Sequence, residues 1–166
     1  MAQRLDRVRV KLARAETHLD AIRQAVETIT ARGPELIPGE FDTREHRFVF
    51  LAQHDSARGD WLGPMIGDCV HNFRAALDYL LWELSSPTYR STHGTRIEFP
   101  IFADPEWHRS ASAKAKVGGL DHAAQRIVES LQPFNGPGCR QRFDLAHPTD
   151  EPLWHLLELD NWDKHR

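Results

Sequence analysis

The chain has 166 residues, enough for one domain that buries its own core, and its formal charge of −3 argues against a broad, non-specific nucleic-acid surface. Two cysteines are too few for a disulfide framework, and neither Cys69 nor Cys139 has a metal-type Cys partner nearby. No apolar run approaches the ~18 residues that span a bilayer. Met1 to Asp6 lacks the apolar stretch of a secretory signal, so no membrane partner and a cytoplasmic location are expected.

From the N-terminus the apolar positions read Leu5, Val8, Leu12, Ala15, Leu19, Ile22, Val26 and Ile29, in alternating steps of three and four. That spacing predicts a long helix packed along one seam, ended by Gly33 and Pro34. The seam suits either the arm of an intramolecular bundle or a homodimeric coiled coil.

Residues 34–56 change character. Glu35 to Phe41 and the β-branched, aromatic run His46 to Ala52 predict a β-hairpin insertion, with Asp42 to Glu45 as its turn. A loop from Gly59 to Pro64 leads into the central helix, which begins near Pro64 and closes by Pro87. On this helix Ile66, Val70, Phe73, Leu77, Leu80, Leu81 and Leu84 gather into one apolar stripe. Asp68, His71, Arg74, Asp78 and Trp82 fall on the opposite side. A solvated face usually carries scattered Glu and Lys; this one holds an imidazole, a guanidinium, two carboxylates and an indole.

Thr88 to Thr95 reads as a polar loop, followed by an extended piece from Arg96 to Phe102 that Pro100 makes irregular. Asp104 and Pro105 read as N-cap and first helical residue of a helix running to about Lys116, stopped by Gly118 and Gly119. Asp121 caps the next helix, whose buried side is Leu120, Ala124, Ile127, Val128 and Leu131. Asn135 to Asp150 forms a long loop, and Glu151 to Leu159 a last amphipathic helix running into Asp160 to Arg166. The fold class expected is mainly α: a single helical bundle over residues 1–166, with the long N-terminal helix antiparallel to the central one.

Five separated blocks carry a resemblance. They are His71-Asn72-Phe73-Arg74-Ala75-Ala76-Leu77-Asp78, Phe99-Pro100-Ile101, Leu131-Gln132-Pro133-Phe134, Leu153-Trp154 and Asp163-Lys164-His165-Arg166. Together they resemble a family of uncharacterised bacterial proteins with a His-Asn-Leu-Arg-Ser-Ala-Leu-Asp-His helix and a later Asp-Lys-His-Arg. The helix pattern is in turn similar to the Arg-x4-6-His motif of HEPN domains, helical proteins that are often RNA-cleaving toxins or defence nucleases. Tyr79 stands where the pattern has its second His, and a tyrosine of pKa ~10 is a poor base at neutral pH. His71, one turn before Arg74, is the geometric substitute.

The resemblance implies RNA as partner and a catalytic set of His71, Arg74, Asp78 and Tyr79. In such a site Arg holds the scissile phosphate and His moves the proton of the 2′-hydroxyl. Arg74, Lys164, His165 and Arg166 would form the anion site if the C-terminal residues dock beside the central helix. Asp68, His71, Asp78 and His165 could gather round a metal, but no His-x-x-x-His or Cys-x-x-Cys supports one, so neither metal nor cofactor is expected. The competing expectation is a non-enzymatic helical interaction module, dimeric through the heptad seam, in which Arg74 pairs with Asp78 and the polar stripe only specifies packing.

Overall fold

The computed structural model describes residues 5–31, 35–37, 41–45, 47–48, 51–53, 61–135 and 147–164. The chain is mainly α-helical. Helix α1 spans Asp6–Ala31 and α2 spans Leu62–Leu84, both where the apolar periodicity puts them. They pack along their length as an antiparallel pair: the Cys69 thiol donates to the Ala15 carbonyl at 3.4 Å, and Lys11 Nζ donates to Asn72 Oδ1 at 3.2 Å. Val8 and Ala15 are buried in this contact, so the heptad seam is used at least in part within the chain.

Between α1 and α2, short extended pieces pair antiparallel. β1 (Glu35–Ile37) pairs with β4 (Leu51–Gln53), and β2 (Phe41–Asp42) pairs with β3 (Arg47–Phe48). The ladders hold three and two residue pairs. Residues 34, 38–40, 46, 49–50 and 54–56 of the expected hairpin insertion lie outside the described residues, so no continuous hairpin is traced among those that are described.

Residues 88–95 are not the expected loop. Ser86 caps a helix, its Oγ accepting the Tyr89 N–H at 3.3 Å, and Pro87 opens α3 (Pro87–His93), continued by a 3-10 turn at Gly94–Arg96. The helix expected from Asp104 to Lys116 is two. Asp104 caps α4 (Pro105–His108), and Ser110 accepts the Ala113 N–H at 3.1 Å to start α5 (Ala111–Val117) afresh. Asp121 caps α6 (His122–Ser130) as anticipated. On α6, however, Ile127 and Leu131 are exposed, while Val128 and the preceding Leu120 are buried. The last helix, α7, spans Pro152–Lys164, so Asp160 to Lys164 continue the helix instead of fraying from it.

The core is Leu81, Ile97, Phe99, Ile101, Leu120 and Val128, with Leu77, Trp82, Leu153, Trp154 and Leu157 packed against it. The extended segment 97–102 runs through it without ladder partners, so its backbone polar groups need other ones. Side chains provide them. Asp78 Oδ1 accepts the Phe99 N–H at 2.8 Å, and Gln132 Oε1 accepts the Phe102 N–H at 3.0 Å. Gln132 Nε2, fully buried, donates to the Pro100 carbonyl at 2.8 Å and to the Val128 carbonyl at 3.0 Å. Among the described residues no helix is long and apolar enough to cross a membrane.

Candidate functional site

Helix α2 has neighbours on two sides, and this rearranges the two faces expected of it. Val70 and Leu81 are buried, but Ile66 and Leu84 at the ends of the predicted apolar stripe are exposed. The polar stripe, conversely, is where α7 docks. The approach is close: a β-carbon at Gly67 would overlap the Asp163 carboxylate. One turn further along α2 and back along α7, His71 Nδ1 lies 3.6 Å from Asp160 Oδ1. These two contacts run in opposite directions along the two helices, which are therefore antiparallel.

Arg74, the next residue of the stripe, is 8% exposed. Its Nη2 lies 3.3 Å from Asp78 Oδ1, the same oxygen that takes the Phe99 N–H. Its Nη1 is buried and makes no hydrogen bond among the described residues. The Asp78 carboxyl is pushed up from its ordinary range, chiefly by burial, with Arg74 and the Phe99 N–H pulling the other way. Its cause is thus the removal of water, which a single guanidinium at i,i+4 does not fully offset.

Asp160 was not singled out by sequence. It is 1% exposed, and its Oδ2 accepts from Lys164 Nζ at 2.5 Å, while Oδ1 has no hydrogen bond among the described residues. The signal that could have found it is its spacing. Asp160 sits four residues before Lys164, seven after Leu153 and three after Leu157, on the side of α7 that faces the core. A carboxylate at such a position needs partners.

The expected site residues are therefore only partly brought together. His71, Arg74 and Asp78 lie along the α2–α7 seam, and Lys164 reaches it through Asp160. His71 is half-exposed, and Tyr79 is exposed with no hydrogen bond or ion pair among the described residues. Asp68 is exposed. His165 and Arg166 lie outside the described residues, as does residue 139. No group of three His, Cys, Asp or Glu among the described residues is placed to hold a metal ion. A recess of about 460 Å³ lies elsewhere, between α1 and the start of α2, lined by Ala25, Ile29, Trp61 and Met65 among others, and no expected site residue borders it.

Chemically, the seam offers a solvent-reachable imidazole backed by a buried carboxylate, with a guanidinium one turn away that is incompletely paired among the described residues. No family model matches the chain, and neither a curated protein nor a solved structure matches it.

Proposed function

We propose that the chain is a HEPN-like RNA-processing protein whose His71 and Arg74 act on a phosphodiester along the α2–α7 seam. The observation that carries this reading is the pairing of half-exposed His71 with buried Asp160, one helical turn from a guanidinium nitrogen that has no hydrogen bond among the described residues. An imidazole backed by a carboxylate is the arrangement that general-base chemistry uses. An unpaired Arg nitrogen is a donor suited to a phosphate oxygen. Because Arg74 is nearly covered, a phosphate reaches Nη1 only if its surroundings give way locally.

The test is incubation with mixed RNA. Cleavage by the wild type that falls at least about a hundredfold in both Arg74→Ala and His71→Ala supports the reading. Absence of cleavage by the wild type, or cleavage unaltered in both variants, removes it.

A second reading is a helical interaction module, and the Arg74–Asp78 pair favours it. That pair is tied to the core through Phe99 and serves packing without any ligand. Homodimerisation would then use what α1 leaves uncovered, including Leu12 and Val26. Sedimentation of wild type against Leu12→Asp distinguishes it, a shift from dimer to monomer being the expected result.

A further inference from the structure

We infer that Asp160 is a positioning residue, which fixes the His71 ring as the tautomer protonated on Nδ1 and leaves Nε2 as the free base. Its catalytic meaning rests on the RNA reading above; the tautomer itself does not.

The argument begins with burial. A carboxylate 1% exposed needs hydrogen bonds on both oxygens, because water is not there to replace a missing one. Lys164 Nζ serves Oδ2 at 2.5 Å. Against Oδ1 stands His71 Nδ1 at 3.6 Å, a distance that a small rotation of a half-exposed ring closes. A neutral imidazole carries one N–H. Placed on Nδ1, it supplies the donor that Oδ1 lacks; placed on Nε2, it sets the Nδ1 lone pair against a carboxylate oxygen. The first arrangement is the favourable one, and the ring orientation follows from it.

In that tautomer Nε2 keeps its lone pair on a side chain 56% exposed. With a ribonucleotide phosphodiester as substrate, Nε2 takes the 2′-hydroxyl proton while O2′ bonds to phosphorus. The bond from phosphorus to the 5′-oxygen breaks, leaving a 2′,3′-cyclic phosphate. The departing 5′-oxygen takes a proton from water, and the imidazolium returns its own proton to the hydroxide formed. Asp160 touches none of the reacting atoms, and its part is to hold the ring.

Asp160→Asn tests this without changing side-chain size. Lys164 Nζ is a donor only, so the amide oxygen stays with Lys164 and the amide NH2 turns to His71. Nδ1 must then accept, and the proton moves to Nε2, the wrong tautomer for a base at that nitrogen. Long-range 1H–15N spectra, at a pH where the ring is uncharged, should show Nδ1 protonated in the wild type and Nε2 protonated in Asp160→Asn. RNA cleavage should fall at least about tenfold, with the helical circular dichroism unchanged.

A wild-type ring protonated on Nε2 overturns the inference, and this measurement needs no variant to fold. Unchanged cleavage after the tautomer has switched overturns the positioning role. Wild type protonated on Nδ1 but inactive on RNA supports the inference about the ring and sinks only the RNA reading.

Discussion

The Asp78 carboxylate serves two partners through one oxygen: Oδ1 accepts the Phe99 N–H at 2.8 Å and lies 3.3 Å from Arg74 Nη2. It joins α2 to the unladdered segment 97–102 and partly neutralises a guanidinium that is nine-tenths covered. Asp78→Ala removes both functions and leaves Arg74 without a counter-charge, which should cost about 3 kcal/mol in urea unfolding. Asp78→Asn keeps an acceptor for Phe99 and should cost clearly less. Equal losses in the two variants would show that the charge alone matters.

Gln132 makes the matching brace at the other end of that segment. Gln132→Leu strands the Phe102 N–H and leaves the Pro100 carbonyl without its donor. The expected loss is about 2–3 kcal/mol, with faster hydrogen exchange at the Phe102 amide than at the α1 amides. Unchanged exchange at Phe102 would count against the brace.

Gly67 sits where α7 approaches closely. Replacing an exposed helical Gly by Ala ordinarily gains up to ~1 kcal/mol. Here the added carbon meets the far end of the exposed Asp163 side chain, which must turn aside, so Gly67→Ala should gain less than that. The cause is specific to one side chain, so adding Asp163→Ala to the same chain should restore the full gain. The check is a double-mutant cycle by urea denaturation.

His108 gives a pH dependence. Its Nδ1 is buried without a hydrogen bond among the described residues, and its ring lies 5.4 Å from Phe134 and 6.1 Å, edge-on, from Phe102. Burial pushes the imidazole below its ordinary 6.5, more than Glu129 raises it. The folded state therefore binds this proton later than the unfolded chain does as pH falls. Well above pH 6.5 neither state is charged and nothing is lost. As pH drops below 6.5 the unfolded state protonates first, so stability declines until the folded ring protonates too. His108→Phe should remove this part of the decline, read as a flatter urea midpoint on the acid side.

The sequence shows the long elements well and the polar seam poorly, for one physical reason. The Leu5-to-Ile29 spacing and the cap Asp121 are local signals, and the helices they announce are found, while Asp104 starts a helix that ends already at His108. The break between α4 and α5 was also local, but Ser110 looks like any mid-helix serine until its hydroxyl is seen capping Ala113. The faces of α2 depend on partners distant in the chain. Periodicity separates the two faces of α2, and only the unusual residue mix of the side bearing Asp68, His71 and Arg74 marks it as a face where the C-terminal residues could dock. It could not report that Asp160, from more than eighty residues away, would come to rest against His71. Asp160 itself read as part of a charged ending because nothing local distinguishes a buried carboxylate from an exposed one.

The Cys69 thiol has a practical use. It is buried against the Ala15 carbonyl, and burial holds its ionisation above the ordinary thiol range, so the native form is a poor nucleophile. Alkylating reagents should reach Cys69 only when α1 swings off α2, and the labelling rate of the peptide that contains it becomes a stopwatch for that opening. Because Asp160 and Gly67 are on the other seam, a substitution there should leave the stopwatch running at its native pace unless the two seams come apart together.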